Sequence, residues 1–277
     1  TILFFVALGV SMHMADALVS PAVGGVMWAA SAGAVAYSSS KLRNDTEERR
    51  VPLMGVMGAF LFAAQMINFS IPGTGSSGHL GGGLLLAILL GPHAALLAIT
   101  AVLIVQALFF ADGGLLALGC NIFNMGVIPA FLVYPLIYKK LAGQSPTETR
   151  LSFAIILSAI LTLQLGPFAV VLETLFSGLS ALPFTTFLIM MQPVHLAIGL
   201  VEGVVTAAII SFVSLARPEL LHVVREAAAP AALPLRNLLV AVLCAAVLIG
   251  GVVSLVASKN PDGLEWAITK VVGTAEL

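Results

Sequence analysis

Apolar positions along the chain fall into long uninterrupted runs, with polar residues confined to short breaks between them. Runs near the ~20 residues that a helix needs to cross a bilayer occupy roughly 20–39, 52–71, 116–138, 151–176, 187–215 and 237–257. The stretch from Leu80 to Ala111 breaks this rhythm, because as one helix it would be about 48 Å long, against a hydrocarbon core of about 30 Å. Gly91-Pro92 interrupts it, and an interior proline removes a backbone donor and clashes with the preceding turn. The pattern therefore predicts two passes there, a short Gly-rich one over 80–91 and a second from His93 to Ala111. No segment shows the alternation of a membrane barrel, and lipid cannot hydrate unpaired backbone, so the spans are expected to be helical.

Composition sharpens that reading. Hydrophobic residues make up 60% of the chain and charged residues only 9%, with a mean hydropathy of +1.09, outside the range of a soluble domain. The net charge of −1 gives no footing for a nucleic-acid partner, but the placement of the basic residues fixes a topology. If Lys41, Arg43, Arg49 and Arg50 are cytoplasmic, two passes within 80–111 also put Lys139, Lys140 and Arg150, and then Arg217, Arg225 and Arg236, on the inner side. One pass would throw the later clusters outside. The expected fold is an all-α, polytopic membrane protein embedded in lipid, with seven crossings and an eighth at 237–257. The Met12-His13 segment and the loops 71–83 and 111–126 then face outward. The Ala-rich stretch 225–234 lies in a cytoplasmic linker spanning 217–236. Cys120 and Cys244 sit in separate apolar runs without ligand spacing and are read as buried core thiols.

Candidate chemistry concentrates on that outer side. "TILFFVALGVS" is too short to span comfortably and ends with small residues at the spacing of a secretory cleavage site. Residues 1–11 are therefore either a leader, whose removal exposes Met12, or an uncleaved tilted anchor. With a free Met12 amine, three nitrogens can close adjoining chelate rings on one ion: that amine, the His13 backbone nitrogen and the near ring nitrogen of His13. His79 is the leading fourth donor, in a loop whose glycines and the hydroxyls of Ser76 and Ser77 allow close backbone approach. A planar nitrogen set suits divalent nickel or copper. Polar groups inside apolar spans are costly and tend to be functional: Gln65 with Asn68, Asn121 with Asn124, and His195 with Glu202 each share a helical face. They are expected to hold the outer loops around the ion without touching it. Ala30, Gly33 and Ala34 form a small-residue face, open either to internal packing or to docking of a separate membrane subunit.

Together "MHMADALVSP" (12–21), "PGTGSSGHLGGG" (72–83), "GCNIFNMG" (119–126) and "HLAIGLVEG" (195–203) resemble the CbiM/NikM family, the substrate-capture subunits of energy-coupling-factor transporters for cobalt and nickel. The resemblance covers residues 12 to about 215. It implies a seven-helix fold, Co(II) or Ni(II) as transported substrate, and a metal held by Met12, His13 and His79. It also implies partners, namely a transmembrane coupling subunit, two cytoplasmic ATPase subunits and, as a further candidate, a small accessory membrane subunit, in a prokaryotic cell membrane with the metal site outward. Family members commonly begin at the Met-His itself, whereas eleven residues precede it here. The eighth span and "NPDGLEW" (260–266) resemble the PDGLE module of accessory membrane components in such systems. That module usually continues into another helix, so a version shortened at Leu277 is expected. The resulting plan is a leader (1–11), a metal-capture domain (12–216), the linker (217–236) and a PDGLE-like extension (237–277).

Other classes fit less well. HExxH, GxSxG and paired aspartates on adjacent helices are all missing from the sequence, which counts against an intramembrane hydrolase. The chain carries no P-loop, so energy from ATP would come from separate subunits. A proton-coupled secondary metal transporter, with His195 and Glu202 as the relay, is the alternative.

Overall fold

A computed structural model describes residues 13–43, 50–144, 146–179, 182–216 and 234–272. The leader, Met12, Arg49, and linker residues 217–233 with Arg217 and Arg225 lie outside the described residues, whereas the last residues of the expected linker, Leu235 and Arg236, already belong to a helix. Among those described, the chain forms nine helices and one small hairpin. These are α1 (Pro21–Leu42), α2 (Arg50–Gln65), β1 (Phe69–Ile71), β2 (Ser76–Gly78), α3 (Gly83–Leu90), α4 (Pro92–Phe110), α5 (Leu118–Ala142), α6 (Glu148–Ser177), α7 (Phe184–Ala216), α8 (Leu235–Gly251) and α9 (Gly263–Val272).

Four of them, α4 to α7, are long and apolar enough to cross a membrane by length and composition. α1 is long enough at 22 residues, but Ser31, Ser38, Ser39 and Ser40 lower its hydropathy. α2 ends at Gln65, short of the 52–71 expected, because the chain turns into the hairpin; Asn68 therefore lies off the helix that carries Gln65. The break at Gly91-Pro92 is real. Gly91 has φ of 78° and closes α3, and Pro92 opens α4. Yet α3 has only eight residues, about 12 Å of helix, and is less than the full pass expected over 80–91.

α3 is apolar all round and buried at every position, the signature of a central element. It packs on α4 and α5, with α2, α6 and α7 completing the ring. α6 and α7 form the tightest pair. A Cβ on Gly203 would lie 2.8 Å from the Ile156 Cα, and one on Gly199 2.9 Å from the Ile160 Cα, so these glycines set the helix separation. α5 carries Pro129 and Pro135 and is wound with wide π turns from Phe123 to Tyr138, a winding that accommodates lost backbone donors. α8 packs on α2, and α9 on α7.

The hairpin pairs Phe69 with Gly78, Ser70 with Ser77 and Ile71 with Ser76. It is the one departure from all-α structure among the described residues. Cys120 is buried as expected, whereas Cys244 is exposed on α8. In lipid an apolar neighbourhood is no sign of burial, since both faces of a helix are greasy. On α1 the inward face is Gly24, Ser31 and Ser38, with Ser31 Oγ donating to Gly119 O at 2.6 Å. Ala30 and Gly33 face out, and Ala34 is half-buried.

Candidate metal centre

The short segment after Met12 is a strap zipped to the loop that follows α4. The His13 N–H donates to Asp112 Oδ1 at 3.1 Å, and His13 Nδ1 lies 3.0 Å from Asp112 Oδ2. Met14 and Asn121 exchange two bonds, Met14 N to Oδ1 at 3.1 Å and Asn121 Nδ2 to Met14 O at 3.1 Å. Gly114 N also reaches Met14 O, and Ala117 N donates to Asp16 Oδ1 at 2.9 Å. Beneath, Met14, Leu18 and Val19 join a buried cluster with Cys120, Phe187 and Leu264, so apolar burial and polar pairing hold the strap together.

The His79 loop is held from three helices. Glu202 of α7 accepts from Gly81 N at 2.6 Å and Gly82 N at 3.1 Å, Gln65 of α2 donates to Gly81 O at 2.9 Å, and Gln106 of α4 donates to Gln65 Oε1 at 3.0 Å. Gly82 has φ of +71°, and a Cβ there would collide with Leu61, so only glycine allows the loop this close. The loop sets the His79 ring edge-on against His13, centroids 5.3 Å apart. His79 Nδ1 lies 3.2 Å from Leu80 O, a contact that selects the tautomer with its proton on Nδ1 and its lone pair on Nε2. His195 is fixed in the same way, Nδ1 against Met191 O at 2.8 Å.

These groups wall a cavity of about 100 Å³, lined by His13, Met14, His79, Asn121, Asn124, Met125, Met191, His195 and Asp262 among others. That is room for an ion and a few waters and too little for an organic substrate. Asn124 points away to Glu173, donating at 2.8 Å. Ser76 bonds within the hairpin turn, to Thr74 Oγ1 at 2.7 Å, and Asn68 uses its backbone oxygen; neither lines the cavity. Among the described residues no three His, Cys, Asp or Glu side chains form a metal-ligand cluster. What the fold brings together is the His13–His79 pair.

The C-terminal segment covers this cavity. Ser77 N donates to Pro261 O at 2.7 Å, Ser77 Oγ to Asn260 O at 2.7 Å, and Trp266 Nε1 to Thr74 O at 3.0 Å. Asp262 caps α9 by accepting from Glu265 N at 2.8 Å and is 2% exposed. Burial holds its carboxyl well above the usual carboxylate range, with repulsion from Glu265 and Asp112 adding to the effect. Sequence reading missed Asp112, Asp16 and Gln106. The available signal was a carboxylate followed by Gly113-Gly114 in an otherwise apolar chain, on the side assigned to Met12-His13.

A bundle of membrane-length apolar helices whose loops and strap close a small imidazole-lined cavity fits the class of membrane transporter components that take up a small ion. The chain belongs to the CbiM family, described as the cobalt uptake substrate-specific transmembrane region, which it matches over residues 13–220. Residues 236–277 match the PDGLE domain. It is similar to a putative metal transport protein of Haloquadratum walsbyi, 36% identical over 209 residues, 76% of this chain and 93% of that protein. A putative fused nickel transport protein NikMN of Archaeoglobus fulgidus is 35% identical over 231 residues, 81% of this chain and 72% of that one. A putative cobalt transport protein CbiM of Methanosarcina barkeri is 31% identical over 243 residues, 82% of this chain and 99% of that one. The crystal structure of a truncated transition metal transporter superposes with a TM-score of 0.62 at 30% identity, over 73% of this chain and 97% of that chain. The protein is thus a multi-pass membrane protein, the substrate-specific component of a cobalt or nickel uptake transporter of the energy-coupling-factor class, and not an enzyme.

Proposed function

We propose that the protein captures Ni(II) or Co(II) at its outer face through the Met12 amine, the backbone nitrogen and Nδ1 of His13, and Nε2 of His79. The observation that carries this reading is the juxtaposition of the His13 and His79 rings at 5.3 Å on the wall of one small cavity. The Leu80 carbonyl at His79 Nδ1 leaves Nε2 as the ligating nitrogen, the usual way a neighbouring acceptor aims an imidazole at an ion. Coordination by the His13 backbone nitrogen displaces its proton to water. Gln65, Ser77, Asn121, His195 and Glu202 position loops and strap around the ion. Asn68, Ser76 and Asn124 act at one remove, through the hairpin and Glu173.

On this reading the chain crosses the membrane seven times and an eighth time with α8, and the descending His79 loop completes the pass begun by α3. The plan is a leader at 1–11, a capture domain at 12–216, a cytoplasmic linker at 217–236 and a PDGLE extension from 237, which takes the place of a small accessory membrane subunit. A coupling subunit docks on the exposed small-residue face at Ala30 and Gly33, beside Ala34, and two ATPase subunits supply energy from the cytoplasm. Both Glu202 oxygens accept backbone N–H groups, which supports a loop-anchoring role for Glu202 over the relay alternative.

The test is the intact mass and metal content of protein purified from membranes, with His79→Ala beside it. A mass starting at Met12 with one equivalent of nickel or cobalt is expected for the wild type, and loss of tight binding for His79→Ala. Equal binding by the two proteins would overturn the site.

A further inference from the structure

We propose that the cleft between α7 and α8 is a lipid site, which takes one acyl chain of a phospholipid with a negatively charged headgroup and receives its phosphate at Arg236. The proposal requires a multi-pass membrane protein and no particular set of metal ligands. α8 packs along α2, closely near its far end, where a Cβ on Gly250 would lie 3.6 Å from the Ala63 Cβ. Nearer its start it stands off from α7. A cavity of about 410 Å³ lies between the two helices there, floored by Leu53, Met57 and Phe60 of α2.

Size, wall and depth all fit an acyl chain. Every residue on the wall is apolar, so water finds no polar partners in the cleft, whereas an apolar guest makes dispersion contacts on all sides. A cavity of about 150 Å³ holds a benzene ring, and this one has room for on the order of a dozen methylenes. The wall residues of α2 and α8 fall within the first eleven positions of each helix, and those of α7 within its last nine. Eleven positions are about 16 Å of helix, half of a hydrocarbon core of about 30 Å, which is the depth of one leaflet. Phe212 on the rim is 53% exposed, so the cleft opens sideways, toward lipid.

The headgroup follows from charge. Arg236 is exposed in the first turn of α8, three positions before Leu239 of the wall and so on the same side of the helix. Among the described residues no carboxylate pairs with it. Other basic side chains at helix ends are engaged: Lys139 lies over the Tyr134 ring, and Arg150 Nε donates to Leu141 O at 2.6 Å. A guanidinium at the end of an apolar cleft matches a phosphate through paired N–H donors, and basic groups between helices at a membrane surface select anionic headgroups. A lipid seated there touches α2, α7 and α8 together, and ties the PDGLE extension to α7 where the two helices stand apart.

The experiment delipidates the full-length protein in detergent and adds back dioleoylphosphatidylglycerol or dioleoylphosphatidylcholine. Thermal melting, and the lipid retained in native mass spectrometry, are measured for the wild type, Arg236→Gln and Ala245→Phe. In the wild type one phosphatidylglycerol per chain is expected to stay bound and to raise the melting temperature by about 2–4 °C or more, with a smaller effect from phosphatidylcholine. Arg236→Gln, at an exposed position, is expected to fold as the wild type does and to respond to both lipids alike. Ala245→Phe sets a ring into the cleft and is expected to gain from neither. Equal shifts from the two lipids in the wild type would overturn the headgroup assignment, and an undiminished phosphatidylglycerol shift in Ala245→Phe would overturn the cleft as its place. No shift from either lipid, the outcome if residues 217–233 of the chain fill the cleft, would overturn the proposal outright. Should Ala245→Phe fail to fold, Arg236→Gln decides, because a preference for phosphatidylglycerol that survives there removes the arginine as the phosphate's partner. Nickel binding is expected to be equal in the wild type and Arg236→Gln, so the lipid site and the capture site stand or fall separately.

Discussion

Glu202 shows how a buried carboxylate can serve a metal centre without touching the metal. It is 1% exposed, and its oxygens hold the two amides that follow His79 and Leu80. Glu202→Gln keeps one oxygen for one of the two donors and sets its own NH2 against the other, so the variant is expected to lose about 1.5–3 kcal/mol of stability, the range for hydrogen bonds to a charged group. The check is melting in detergent; a wild-type melting point would mean the loop is anchored elsewhere. Nickel affinity is expected to fall in parallel, because His79 rides on that loop. The sequence made His195 and Glu202 legible because ionisable residues stand out inside an apolar span, and their spacing of seven put them on one face. Asp112 escaped notice because its role depends on a contact 99 positions away in sequence, which no local pattern announces.

Helices were easier to read than loops, for a physical reason. The run at 187–215 became Phe184–Ala216, and that at 151–176 became Glu148–Ser177, since membrane thickness imposes both length and hydropathy. The hairpin was invisible: each strand has three residues, β2 reads Ser-Ser-Gly, and no alternation fits into so few positions. Inside and outside could not be told apart on α8 either, as Cys244 shows. The tight α6–α7 pair gives a sharper expectation. Gly203→Ala sets a Cβ 2.8 Å from the Ile156 Cα, a backbone atom that cannot swing aside, so overpacking is expected to cost about 1–3 kcal/mol. Gly33→Ala, with open space around it, should leave stability unchanged. The comparison is made by melting both variants without metal, and equal melting points would show that the two helices separate freely.

Across the whole molecule, the amino-terminal strap and the carboxy-terminal turn meet over the same cavity, and their contact is expected to respond to pH. Asp262 binds its proton more tightly in the docked turn than in an opened one, because burial raises it above the ordinary carboxylate value. The docked arrangement is therefore fully stable at low pH and loses stability as the pH rises from the ordinary carboxylate value through the raised one. Thermal melting across the acidic to neutral range should fall with rising pH in the wild type and flatten in Asp262→Asn; parallel curves would remove Asp262 as the cause. The turn is docked largely through its main chain, with the carbonyls of Asn260 and Pro261 meeting Ser77. A surface that reads carbonyl oxygens is blind to side chains, so a substitution at Asn260 is expected to leave the cover docked. Asp262 and Trp266, whose contacts run through their side chains, do not share that freedom.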